Sequence, residues 1–94
     1  MNRWALVVEQ SIGVGQNMRW DAEVIVETDG SREEALQLLW HHVQGFSPRH
    51  PKYVQRRRIY RDGDGFLVIN TGTSMSDFPC RFRLMELVSD TGPI

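Results

Sequence analysis

Asp29-Gly30-Ser31-Arg32-Glu33-Glu34-Ala35-Leu36-Gln37-Leu38-Leu39-Trp40-His41-His42-Val43-Gln44-Gly45 decides the fold, because it carries the chain's helical periodicity and everything on either side of it reads as strand. Asp29-Gly30 breaks the preceding segment. Ser31 followed three residues later by Glu34 has the spacing of a capping box, in which hydroxyl and carboxylate each take up a free amide of the first turn. Ala35, Leu38, Leu39, His42, Val43 and Phe46 then recur at helical spacing, with Leu36 and Trp40 widening the stripe. The pattern predicts a helix from about Arg32 to Gln44, ended by Gly45 in a left-handed cap.

On the N-terminal side, Trp4, Leu6 and Val8 alternate with Arg3, Ala5, Val7 and Glu9, the period-two signal of a strand spanning Arg3 to Gln10. A second alternation, Arg19 to Thr28, sets Trp20, Ala22, Val24 and Val26 on one face and Asp21, Glu23, Ile25 and Glu27 on the other. The glycines of Ser11-Ile12-Gly13-Val14-Gly15-Gln16-Asn17 suit a hairpin loop between these strands. On the C-terminal side, Pro48 and Pro51 impose a loop, because each lacks an amide donor and restricts the residue before it. A third strand is expected from about Tyr53 to Arg61. Asp62-Gly63-Asp64-Gly65 turns the chain into a fourth strand, Phe66-Leu67-Val68-Ile69-Asn70. Thr71 to Pro79 reads as a polar loop, and a last strand starts near Cys80, where Phe82 and Leu84 alternate with Arg81 and Arg83, and runs to Val88. Residues 89–94 are expected to fray. The sum is a ββαβββ chain, a two-layer α+β domain with one helix on a mainly antiparallel sheet.

Ninety-four residues, 40% of them hydrophobic and 24% charged, form one domain with a modest core. Cys80 is the sole cysteine, which excludes an internal disulfide and a thiolate zinc site. The apolar run before Glu9 is too short for a signal-peptide core, and nothing approaches the roughly 20 apolar residues of a membrane span. A cytoplasmic protein without membrane contact is expected. Ten arginines against one lysine point to a GC-rich genome.

Hairpin, helix and further strands over residues 3–88 resemble in topology the ubiquitin-like β-grasp, which implies protein binding in a general way, since fold does not determine function. Ser-Arg-Glu-Glu-Ala-Leu at 31–36, Arg-Arg-Arg-Ile-Tyr-Arg-Asp-Gly-Asp-Gly-Phe-Leu-Val at 56–68 and Cys-Arg-Phe-Arg-Leu-Met-Glu-Leu at 80–87 look like small actinobacterial proteins of uncharacterised activity. That resemblance transfers no site.

Catalytic and metal chemistries find little support. Counted from Asp62, a calcium loop of the EF-hand kind needs an oxygen ligand at Phe66, a glycine at Leu67 and a glutamate at Thr73, and fails at each. Gly13-Val14-Gly15 lacks the third glycine of a dinucleotide fingerprint and opens a strand. Gly72-Thr73-Ser74-Met75-Ser76 has serine where a nucleophile elbow needs its second glycine. His41 and His42 diverge by about 100° on a helix and do not readily share an ion; His42 is expected to be a hydrogen-bonded core residue and His41 to face water. Cys80 reads as a small buried hydrophobe. Trp4, Trp20 and Trp40 are expected to share the core, because a base-stacking platform would need aromatics on an exposed sheet surface. Pro48-Arg49-His50-Pro51 is too short a loop for a PxxP ligand. No cofactor, metal or catalytic residue is assigned.

One feature bears on function. Arg49, Lys52, Arg56, Arg57, Arg58 and Arg61 give residues 49–61 a charge of +6 with no acid, in a chain of net charge −1, so the remainder stands at −7. Either the arginines pair internally or they meet an anionic partner. The favoured expectation is a cross-strand ladder to Asp21, Glu23 and Glu27, each pair contributing about 0.2 to 1 kcal/mol. The other reading makes the six basic residues a phosphate-binding or partner-binding tract, interleaved by Tyr53 and Tyr60. The expected function is that of a non-catalytic interaction domain whose partner is a protein or a second copy of itself, with homodimerisation through sheet edges. A nucleic-acid-binding module is the alternative, and an enzyme comes third.

Overall fold

The computed structural model describes residues 2–12, 19–48, 53–73 and 75–93. Six elements follow one another as β1 (Asn2–Ile12), β2 (Arg19–Gly30), α1 (Arg32–Gly45), β3 (Val54–Asp62), β4 (Gly65–Gly72) and β5 (Asp77–Glu86). The strands form one sheet in the order β2-β1-β5-β4-β3, antiparallel at every junction, and α1 lies on one face of it. This is the expected ββαβββ two-layer α+β architecture. Among the described residues no helix is long and apolar enough to cross a membrane.

The helix starts as its sequence requires. Ser31 Oγ accepts from the Glu34 amide and Glu34 Oε1 accepts from the Ser31 amide, each at 3.1 Å. The Ser31 amide donating to it, and after that the Ser31 hydroxyl, hold the Glu34 carboxyl below the usual carboxylate range. Its end differs from the expectation. Gly45 closes the helix without a positive φ, and the cap is Phe46 in extended conformation, its amide reaching the Val43 carbonyl at 3.5 Å. Phe46 is drawn out of the helix by its ring, which packs edge-to-face on Phe82 with centroids 5.1 Å apart.

Ala35, Leu39 and Val43 form the buried stripe of α1, facing Leu6 and Val8 of β1, Phe66 and Val68 of β4, and Cys80 and Phe82 of β5. Trp4 is buried and donates its indole N–H to the Gly30 carbonyl at 3.0 Å, tying the strand to the end of its hairpin partner. Trp20 and Trp40 do not join it. The pairing of β1 with β2 is interrupted between Leu6 and Val7, where Ile25 is the extra residue of a β-bulge. Ile25 and Val26 both pack toward the core, and the phase of β2 before the bulge is reversed, so that Trp20 and Val24 lie on the helix-free face, 48% and 52% exposed.

The turn from β3 to β4 uses two residues, Gly63 and Asp64, with φ of +56° at Gly63, a conformation that glycine adopts without steric cost. At Gly65 a Cβ would collide with the Phe82 carbonyl oxygen, so this position is glycine because β5 crosses against it. β5 begins three residues before Cys80, and Pro79 sits inside it, opposite Ile69. β1 pairs with β5 only from Cys80 onward, so Pro79 lies where β5 has a ladder partner on one side alone, the edge-like position in which proline is tolerated. Thr71 and Gly72 belong to β4 and not to a loop. The proposed hairpin loop at 13–17 lies outside the described residues.

Candidate interaction surface at the sheet edges

The strand order makes β2 and β3 the two edges, with β1, β5 and β4 between them. Four interstrand steps of about 4.8 Å place the edges about 19 Å apart, far beyond an ion pair. The expected ladder from the β3 arginines to Asp21, Glu23 and Glu27 is therefore not formed. The period of each strand was readable, but which strands become neighbours is a tertiary outcome that local alternation does not carry.

The arginines of β3 divide by face. Arg56 and Arg58 point to the helix-free face, aligned with Thr71 and Ile69, while Arg57 and Arg61 point to the helix face, aligned with Asn70 and Phe66. Arg57 is structural. Its Nε donates to Asn70 Oδ1 at 3.0 Å and its Nη2 to the Phe46 carbonyl at 2.9 Å, so one guanidinium ties the edge strand to β4 and to the end of the helix. Arg58 pairs with Asp77 at 3.4 Å, and Asp77 in turn accepts from Thr71 Oγ1 at 2.7 Å. Arg61 spreads over the Phe66 ring, 5.8 Å from its centroid. Among the described residues neither Arg56 nor Arg61 has an ion pair. Arg49 and Lys52 lie outside the described residues, as does His50.

Helix α1 rests on β1, β2, β4 and β5 and makes no packing contact with β3. Among the described residues the edge strand is therefore exposed beyond Arg58, with Ile59 and Tyr60 36% and 49% exposed there. Between the helix and this overhang runs a groove of about 430 Å³ lined by Glu33, Leu36, Gln37, Trp40, Arg61 and Phe66. Trp40 stacks at a tilt on Phe66, centroids 5.1 Å apart, and stays 40% exposed as one wall. The sequence predicts Trp40 in the core; its position on the flank of the helical stripe is what admits either location.

At the opposite edge, β2 carries Asp21, Glu23, Glu27 and Asp29 against one base, Arg19. Arg3 Nε approaches Glu27 at 3.2 Å and Asp29 at 3.7 Å, whereas Asp21 and Glu23 have no ion pair among the described residues. On the helix-free face between the edges, Arg83 pairs with Glu9 at 2.9 Å, and Arg81 lies across Trp20, 5.6 Å from its ring centroid.

The remaining chemistry-bearing residues are packed away. Cys80 is 1% exposed, contacts Asn70 Nδ2 at 3.7 Å and lies 4.0 Å from Gln10 Oε1. Burial raises its thiol above the ordinary value, outweighing the opposite pull of Arg57 and the Asn70 contact. His41 is exposed as expected. His42 is half-buried against His41 with centroids 5.9 Å apart, and has no hydrogen bond among the described residues. No group of three His, Cys, Asp or Glu placed to hold a metal occurs among the described residues. Comparison with protein-family models, with curated proteins and with solved structures gives no match.

Proposed function

We propose that this chain is a non-catalytic interaction domain that takes an extended acidic segment of a protein partner along β3. One observation carries the reading: β3 is an edge strand left uncovered by the helix, and Arg56 and Arg61 stand on its two faces with no ion pair among the described residues, beside exposed Ile59 and Tyr60. An unpaired edge offers a row of backbone donors and acceptors to an incoming strand, and alternate side chains on it supply specificity. The groove beneath Trp40 and Arg61 would receive side chains on the helix side. A single buried thiol suits a reducing, cytoplasmic setting.

The nucleic-acid reading is weaker on the same geometry. Arg57 is spent on Asn70 and Phe46 and Arg58 on Asp77, and the exposed aromatics Trp20 and Tyr60 sit on opposite edges of the sheet, too far apart to form one stacking platform. The test compares two probes, an alternating Glu-Val decapeptide and a single-stranded oligothymidine, near 150 mM salt, where screened phosphate contacts are already weakened. The peptide is expected to bind and to slow amide exchange along β3, with both effects lost in Arg56→Gln/Arg61→Gln at unchanged thermal stability. Tighter oligothymidine binding, lost in the same variant, would overturn the proposal in favour of nucleic acid.

A further inference from the structure

The two sheet edges carry opposite charge. β2 holds four carboxylates and one arginine, net −3, and β3 holds four arginines and one carboxylate, net +3. A chain that is nearly neutral in total thus presents an acidic strand at one end of its sheet and a basic strand at the other. Among the described residues both edges are exposed where the unpaired charges sit. Residues 19–24 of β2 are exposed throughout, with Trp20 and Val24 among them, and so are Arg56 and residues 59–62 of β3.

We infer that the acidic strand that β3 accepts is β2 of a second copy of this chain, so that copies dock head to tail into a continued sheet. This rests on β3 being an interaction edge and names its partner. Self-docking in the usual two-fold manner would set β3 against β3, four arginines against four, or β2 against β2, four acids against four. Like charges across a strand pair oppose association, and only the heterologous junction brings complementary edges together. A heterologous junction that does not close on itself grows into an open chain of copies. Because the five strands alternate in direction, β2 and β3 run the same way. Keeping all helices on one side therefore joins β3 to the next β2 in parallel, and an antiparallel junction alternates the helices between faces.

Light scattering on the full chain tests this with two charge-reversed variants chosen outside the internal ion pairs. Arg56→Glu/Arg61→Glu makes both edges acidic. Asp21→Lys/Glu23→Lys makes the β2 edge basic as well as β3. Wild type is expected to rise from 10.9 kDa at low micromolar concentration to more than twice that mass near millimolar. The rise should disappear as salt goes from about 20 mM to about 500 mM, which shortens the screening length from about 20 Å to about 4 Å. Each variant alone should remain monomeric, and an equimolar mixture of the two should associate again, since acidic β3 of one then meets basic β2 of the other. If either variant loses its fold by circular dichroism, a synthetic peptide of residues 19–30 replaces it: excess peptide should lower the wild-type mass, and the same peptide with Asp21→Lys and Glu23→Lys should not. A wild type that stays monomeric in low salt, a dimer indifferent to both reversals, or a mixture and peptide without effect would each overturn head-to-tail docking. A monomeric wild type whose β3 amides are still protected by the Glu-Val peptide would sink only the self-docking; loss of that protection as well would sink the edge reading with it.

Discussion

Replacing Arg57 by methionine should destabilise the domain far more than replacing either of its neighbours. The guanidinium donates to Asn70 Oδ1 at 3.0 Å and to the Phe46 carbonyl at 2.9 Å. Methionine keeps much of the apolar stem and removes both donors. The Phe46 carbonyl, on a half-buried residue, can turn to water, but Asn70 is 1% exposed and its Oδ1 would be left without a donor. An orphaned buried acceptor costs about 1 to 3 kcal/mol and a lost charge-assisted hydrogen bond about as much, so with the second bond discounted for solvent the total is about 2 to 4 kcal/mol. Arg58→Met gives up one surface ion pair with Asp77, worth about 0.2 to 1 kcal/mol. Arg56→Met removes no ion pair or side-chain hydrogen bond among the described residues and should lie within about 0.5 kcal/mol of wild type. In a domain of this size each kcal/mol moves the melting temperature by about 4 to 8 °C. The series should therefore read 57, then 58, then 56 in urea or thermal unfolding, with Arg57→Met lowered by at least 8 °C. Asn70→Leu in the Arg57→Met background should recover part of the loss, because removing both partners leaves no orphan. Equal stability of Arg57→Met and Arg56→Met would refute the claim that Arg57 is a structural tie.

Two further outcomes follow from the core. Leu39, fully buried between α1 and the sheet, should cost about 2 to 5 kcal/mol as Leu39→Ala by chemical denaturation; wild-type stability would mean the helical register is wrong. Cys80 has its thiol raised in the native state, so the unfolded chain ionises first: its contribution is intact below the ordinary thiol value of about 8.5 and is lost as pH rises through the native value. Stability measured across that window should fall with pH in wild type and lose that part of its slope in Cys80→Ser, and identical slopes would show that Cys80 does not titrate there.

Local signals carried the elements well. Ser31 and Glu34 announced the helix start, and the Asp-Gly pair between β3 and β4 announced a turn that Gly63 makes with positive φ. What failed were the features that no local period encodes. The bulge at Ile25 inverts the alternation of β2 midway, so a single phase carried from Trp20 to Val26 put Trp20 and Val24 on the wrong face. Phe46 rather than Gly45 caps the helix because its ring has a seat on Phe82, a contact between residues far apart in the chain. Pro79 reads as a strand breaker unless it is known that the pairing of β1 with β5 ends at Cys80. In the candidate site, the division of the arginines between faces was legible from the period of two, whereas the partners of Arg57 and Arg58 come from β4, β5 and the helix end.

Strand order is what turns the charge pattern of the sequence into a surface property. Had β2 and β3 been neighbours, their side chains would have met across about 5 Å and the two tracts would have cancelled inside the sheet. Three intervening strands instead hold them about 19 Å apart, more than two screening lengths at physiological salt, where the length is about 8 Å. At that distance neither edge relieves the other in solution, and each keeps most of its field for whatever arrives at it. Arg83 of β5 pairs with Glu9 and Arg58 of β3 with Asp77, while among the described residues Arg56 and Arg61 on one edge and Asp21 and Glu23 on the other have no ion pair. Charges retained solely for the fold would be expected to sit among partners within it. These four sit at the two places where a further strand can add, with opposite signs at the two ends, which is the arrangement that association by edge pairing requires.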